Sequence, residues 1–432
     1  MSAAGRSGAG SFLFARMDAR MLPLNAARRR SRGLLVAGIV LGLSAAPVMG
    51  LTSRGRAAAA DDDWEITPES QAALDRGLAW LAANQTAAGN WETNDLGLVA
   101  TGALAFLAAG HTPGSGRYGD NVQRALDYIV TNAKPSGLLN IAAPQRDMYN
   151  HGLATFVLGQ AYGMTADPRV GRTLDRALKL IARTQGPGGG WNYQALPQDG
   201  DLSLCVMQAK ALRSAVDSGL DISPAVIEKA IARVRLHYFP KNGNPNAPEA
   251  ELRTIGGQFT YNTGGGNATV AMASAGVVCM QEFGQYEDWR IAKSMDVVTK
   301  AIEAAKPQAT RNGTMPFDAY TLNYVGQSLY QVGGQGWRDH YPKLRDCLVA
   351  SQVIGKGQGK QRAKGKDKDR SQVSDEDSDE GHWLAGAHVD GKPGMLYGTS
   401  VGVFILAIPN RYLPILQEGR IDDLQQRFTG AR

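Results

Sequence analysis

Leu178-Lys179-Leu180-Ile181-Ala182-Arg183-Thr184-Gln185-Gly186-Pro187-Gly188-Gly189-Gly190-Trp191 is the stretch whose reading decides the architecture. Together with Leu174, its Leu178 and Ile181 repeat at the three- and four-residue spacing of one helix face. The glycine-rich run beginning at Gly186 ends that helix in a turn, and the turn carries an aromatic residue. The same unit occurs at Leu78 to Asn84-Gln85 and Gly89-Asn90-Trp91, and again at Leu348 to Ser351-Gln352 and Gly381-His382-Trp383. Weaker copies stand at Gly137-Leu138, Gly257-Gln258-Phe259 and Gly313-Thr314-Met315. The sixth positions, 91, 138, 191, 259, 315 and 383, are 47 to 68 residues apart. A repeat of that length is a helical hairpin with a variable loop.

The second helix of each hairpin differs in kind from the first. Gly97 to Ala109, Gly152 to Tyr162, Leu202 to Ala215, Ala268 to Met280, Tyr320 to Val332 and Gly398 to Ile408 are rich in alanine and glycine and poor in charge. A helix apolar around most of its circumference has to be buried, whereas amphipathic first helices such as Val122 to Asp127 keep a charged face for water. Six amphipathic helices outside and six apolar ones inside predict an all-α protein of two concentric layers. Closing the six hairpins into a ring gives every inner helix two neighbours and removes the need for capping repeats.

The flanks and insertions read differently. With 43% hydrophobic and 20% charged residues, the 432-residue chain has the composition of a folded domain rather than a disordered one. Its formal charge of +6 is unevenly placed. Nine arginines and a single acid, Asp18, fall in residues 1–60, which leaves the remainder close to neutral and gives no support to a nucleic-acid partner. Arg28-Arg29-Arg30-Ser31-Arg32, the apolar stretch Gly33 to Gly50 and the small residues Ala57 to Ala60 follow the order of a signal peptide, and the paired arginines suggest the twin-arginine route. The expected location is therefore periplasmic or extracellular, with no transmembrane segment once the leader is removed. The expected domain spans 61–416, with a short tail at 417–432. Lys241 to Ile255, which carries Pro245 and Pro248, predicts an extended loop. Gly355 to Glu380 has a basic half and an acidic half with almost no apolar residue, and predicts a disordered charged loop inside the last hairpin. Cys205, Cys279 and Cys347 are too far apart for a disulfide framework or a zinc ribbon and read as small buried hydrophobes.

These repeats resemble the prenyltransferase and squalene-cyclase repeat superfamily, whose terpenoid-cyclase-like members share a double-layered (α/α)6 toroid. The units Gln85 to Trp91, Gln185 to Trp191 and Gln352 to Trp383 look like its glutamine-tryptophan motif, which ties helix ends together at the outside of the ring. Asp147 to Ala154, Gly189 to Tyr193, Gly200 to Ser203 and Tyr412-Leu413-Pro414 are similar, more narrowly, to exported cyclase-like proteins of planctomycete bacteria. The likeness covers roughly residues 70–416 and implies the fold more specifically than any activity.

Cyclisation chemistry of the squalene type needs an acid polarised by further carboxylates in an Asp-x-Asp-Asp motif. Here the nearest match is Asp199-Gly200-Asp201-Leu202, in which leucine replaces the last carboxylate. Asp201 is thus either a candidate acid or the N-cap of the following helix, with Ser203 two residues on. Resemblance to protein prenyltransferases would imply zinc held by an aspartate, a cysteine two residues later and a later histidine; here Cys205 follows Asp201 by four residues, on one helix face, and no cofactor is expected. His151, at the start of an inner helix, is a candidate for binding or proton transfer at one mouth of the ring, or a structural histidine. Tyr149, Tyr320, Tyr324 and Tyr397 stand near inner-helix starts and are candidate walls of a cavity for an apolar, isoprenoid-like ligand or lipid. The chain contains no His-Glu-x-x-His and no phosphate-binding loop. Three functions remain open: a toroid binding an apolar ligand, a protein-interaction scaffold, and a cyclase with an incomplete acid motif.

Overall fold

The outer helices expose charged faces and the inner ones are buried around most of their circumference, and this contrast fixes where they lie. The computed structural model describes residues 64–165, 167–241, 244–305, 315–355, 379–386 and 391–417. The leader, most of the charged 355–380 loop, Gly313-Thr314 and most of the 417–432 tail lie outside the described residues. In chain order the hairpins pair α1 (Pro68–Asn84) with α2 (Leu96–Ala108), α3 (Gly119–Thr131) with α4 (Asp147–Tyr162), and α5 (Pro168–Thr184) with α6 (Leu202–Asp217). The fourth pairs α7 (Pro224–Leu236) with α9 (Val270–Glu282) across an insertion containing β1 (Tyr238–Pro240), α8 (Glu249–Leu252) and β2 (Gly257–Phe259). Then come α10 (Trp289–Ala304) with α11 (Ala319–Val332), and α12 (Gly334–Ser351) with α13 (Gly391–Ala407), the last two separated by β3 (Val353–Ile354) and β4 (Gly381–His382). A short helix, α14 (Pro414–Gln417), follows.

The fold class is therefore all-α, with two short antiparallel strand pairs among the described residues. Every residue of α2 is buried, whereas α5 buries Val170, Leu174, Ala177, Leu178 and Ile181 on one face and leaves Arg172, Asp175, Arg176 and Lys179 in water. The inner helices pack side by side in the order α2, α4, α6, α9, α11, α13, and α13 packs in turn on α2. Each of α3, α5, α10 and α12 seats on the inner helix that precedes it, and α1 seats on α13. The last hairpin is thereby joined to the first.

The glutamine-tryptophan units show why the repeat needs these residues. A helix leaves its last four carbonyls without intrahelical donors. In all three copies the indole Nε1–H donates to the fourth-from-last carbonyl of the preceding outer helix: Trp91 to Leu81 at 2.8 Å, Trp191 to Ile181 at 2.9 Å and Trp383 to Leu348 at 2.9 Å. The glutamine next to each helix end reaches sideways. Gln85 Nε2 donates to Asn121 O of α3 at 2.9 Å, Gln185 Nε2 to Val226 O of α7 at 2.9 Å, and Gln352 Nε2 to Ala73 O of α1 at 2.7 Å. The third of these bonds fastens α12 to the start of the chain. The turn glycine is obligatory because Gly189 has φ +91° and a Cβ there would lie 2.2 Å from Lys229 O. Gly137, in a weaker copy, has φ +93° and would meet Arg176 O at 2.5 Å, so that unit keeps the backbone geometry with Leu138 in place of tryptophan.

Several boundaries differ from the sequence reading, among them the start of α13, which lies at Gly391 and not at the expected Gly398. The segment expected to be an extended loop at 241–255 contains the helical turn α8, and β1 pairs with β2 across its base. Helix α4 begins at Asp147, five residues before the expected Gly152, because its polar first turn is satisfied by tertiary partners. Asp147 Oδ1 accepts from Asn140 Nδ2 at 2.7 Å, and Asn150 Nδ2 donates to Asn140 Oδ1 at 2.8 Å. At the base of the charged loop, Gly355 N–H donates to Glu380 O at 2.9 Å beside the β3–β4 pair.

Candidate functional site

The first turns of the inner helices converge on one cavity of about 640 Å³. Asp95 and Leu98 reach it from α2, Tyr149, Asn150 and Leu153 from α4, Ser203 and Met207 from α6, and Thr269, Ala271 and Met272 from α9. Asp318, Tyr320 and Thr321 come from α11, Tyr397 from α13, and Arg146, Tyr193, Tyr261 and Asn267 from the intervening loops. Its size is that of a small-molecule pocket, with an apolar floor and a hydroxyl-rich wall.

Tyrosines form a connected belt. Tyr149 Oη donates to Tyr320 Oη at 3.1 Å, joining α4 to α11, which are not neighbours in the inner layer. Tyr149 also stacks on Tyr193, with centroids 6.1 Å apart at 11°. Tyr193 Oη hydrogen-bonds Tyr261 Oη and lies 3.5 Å from Ser203 Oγ. Burial pushes the phenols of Tyr149, Tyr261, Tyr320 and Tyr397 above their usual range, so at neutral pH they are uncharged donors and acceptors.

Of the residues singled out from sequence, Tyr149, Tyr320 and Tyr397 line the cavity. Tyr324 lies behind the wall: it is fully buried, packs edge-on against Tyr320 at 5.0 Å and donates to Met207 Sδ at 3.7 Å. Tyr193 and Tyr261 were not singled out as wall residues. Each follows a turn aromatic by two positions, Trp191 and Phe259, and that shared offset is the signal in the sequence.

His151 is not at the cavity. Because α4 starts at Asp147, His151 stands in its second turn, fully buried, and both ring nitrogens are engaged with backbone. Leu139 N–H donates to Nδ1 at 3.2 Å, and Nε2–H donates to Ala177 O on α5 at 3.1 Å. Burial holds its pKa down at about 4, so the ring is a neutral tie between layers.

The two carboxylates of Asp199-Gly200-Asp201 are also occupied. Asp199 accepts from Gly188 N–H and Gly190 N–H, both at 2.8 Å, holding the glycine turn. Asp201 caps α6, accepting from Ser203 N–H at 2.9 Å and from the Ser203 hydroxyl. Cys205 is fully buried, and burial pushes its thiol up to about 12. Among the described residues no cluster of three His, Cys, Asp or Glu side chains is placed to hold a metal ion.

A second polar group lies further along the inner layer. Lys210 of α6 is buried with Nζ 4.4 Å over the Phe156 ring, and its charge faces Glu282 of α9. Gln331 Nε2 donates to Glu282 Oε1 at 2.8 Å, and Arg213 Nε pairs with Asp217 at 2.7 Å. Burial lowers the Lys210 pKa and raises that of Glu282, each opposed by the partner's charge.

Compared with known proteins, the sequence matches no family model and no curated protein. Among the described residues, no helix is long and apolar enough to cross a membrane.

Proposed function

We propose that this chain is a double-layered α/α toroid of the prenyltransferase and squalene-cyclase repeat type, and that it binds an apolar-bodied small molecule in the cavity at the inner-helix N-termini. The observation that carries the reading is the convergence of six inner helices on one tyrosine-walled space floored by Leu98, Leu153, Met207, Ala271 and Met272. The closed order of inner-helix neighbours and the Gln352 to Ala73 bond support the toroid. Cyclisation through Asp201 is disfavoured, because its carboxylate serves as a helix cap and is not among the residues lining the cavity. Export is part of the same proposal, carried by the basic, apolar and small-residue order of residues 28–60.

The test is extraction of the natively purified protein with organic solvent, followed by mass spectrometry. An apolar compound should be recovered from wild type and lost from Ala271→Trp, which fills the cavity, with folding followed by circular dichroism. Absence of any extractable compound, together with no binding of apolar probes, overturns the reading.

A further inference from the structure

Helix N-termini that converge on a cavity ordinarily make an anion site, since each carries roughly half a positive charge. Here the protein cancels that field at its source. Of the five inner-helix starts whose caps are described, Asp95, Asp201 and Asp318 are the N-caps of α2, α6 and α11, Asp147 opens α4, and α9 has a neutral cap, Thr269. These five helix ends and Arg146 together supply roughly +3.5 against the four carboxylates, which leaves about half a negative charge.

Nor do the acids at the wall have strong free valences. Asp95 accepts from Leu98 N–H at 3.1 Å and pairs with Arg146 at 2.9 Å. Asp318 accepts from Thr321 N–H and from the Thr321 hydroxyl, both at 2.9 Å. Apart from Arg146, which is paired with Asp95, and Asp318, which is held by Thr321, the groups that line the cavity are neutral: phenol, hydroxyl and amide groups together with leucine, alanine and methionine side chains. A charged head would surrender its hydration there and meet only charges that are already compensated. At the roughly 30 Å³ that one water-sized group occupies, the cavity holds about twenty heavy atoms.

We infer that the cavity selects an uncharged amphiphile, an apolar body with a single hydroxyl or carbonyl head held by the tyrosine belt, and discriminates against phosphate, carboxylate and quaternary ammonium heads. The inference rests on the ligand-binding reading above and adds the chemical class of the head group.

Four probes with one body and different heads test it: decanol, decanoate, decyl phosphate and decyltrimethylammonium, titrated below their micelle concentrations by calorimetry. Decanol should bind at least about tenfold more tightly than each charged homologue, and Ala271→Trp should abolish its binding. A charged homologue that binds as tightly as decanol overturns the inference while leaving the cavity reading intact. No binding of any of the four overturns the cavity reading itself. Asp318→Asn gives an independent check, because asparagine also caps a helix but removes one negative charge. It should raise decanoate affinity several-fold relative to decanol, and an unchanged ratio contradicts the charge balance argued here.

Discussion

Trp191→Phe isolates the bond on which the repeat depends. The phenyl ring keeps most of the apolar volume at a site with no solvent exposure, but it removes the indole N–H that donates to Ile181 O at 2.9 Å. That carbonyl is one of the last four of α5, and besides the indole it accepts only a longer bond, from the Thr184 hydroxyl at 3.3 Å. Leaving a buried acceptor under-satisfied costs up to about 1–3 kcal/mol. The smaller ring adds a packing loss, so the total should be about 2–4 kcal/mol, below the roughly 3–5 kcal/mol of a full Trp→Ala truncation. For a domain this large, each kcal/mol lowers Tm by about 2 °C. Urea and thermal unfolding of the variant would measure both, and the same substitution should cost a similar amount at Trp383, where the Ser351 hydroxyl also donates to Leu348 O at 3.1 Å, and more at Trp91, whose indole donates to Leu81 O. A loss below about 0.5 kcal/mol at all three sites would refute the view that these indoles cap helix ends.

Stability should also depend on pH through His151. Its folded pKa of about 4 lies below the ordinary value near 6.5, so the unfolded chain binds the extra proton between these limits and stability falls as pH falls through that window. The full loss is about 3 kcal/mol by about pH 4, and His151→Gln should flatten the profile; parallel profiles for wild type and variant would contradict the neutral-tie role. Glu282→Gln should destabilise by on the order of 3 kcal/mol, because it removes the negative charge that faces the buried Arg213 and Lys210 cations. Adding Lys210→Met should restore part of that loss, and strictly additive penalties in a double-mutant cycle would deny the coupling.

Much of the layer arrangement is legible in the sequence because two local requirements write it there. Helix ends need donors, which leaves the Gln85, Gln185 and Gln352 units as marks, and buried helices need apolar circumference, which marks α2 and α9 from end to end. Legibility fails where polar residues are satisfied at a distance. Asp147 and Asn150 fall before the expected helix, and His151 at its start, until Asn140, Leu139 and Ala177 are brought to them by the fold. The candidate site divides in the same way. Tyr149 and Tyr320 sit in the first turns of α4 and α11 and Tyr397 in the second turn of α13, where periodicity gives their position, but Tyr193 and Tyr261 reach the wall from loops. Asp201 carried a cap signal and an acid signal in the same residues, and its bonds to Ser203 fit the cap.

The most direct measurement is a crystal structure of the protein soaked with an ω-bromo fatty alcohol, with the bromine located by anomalous scattering. The account predicts bromine density beside Met207 and Met272 and the hydroxyl within hydrogen-bonding distance of the tyrosine belt. Density confined to the outer surface, or an unoccupied cavity at saturating alcohol, would contradict it.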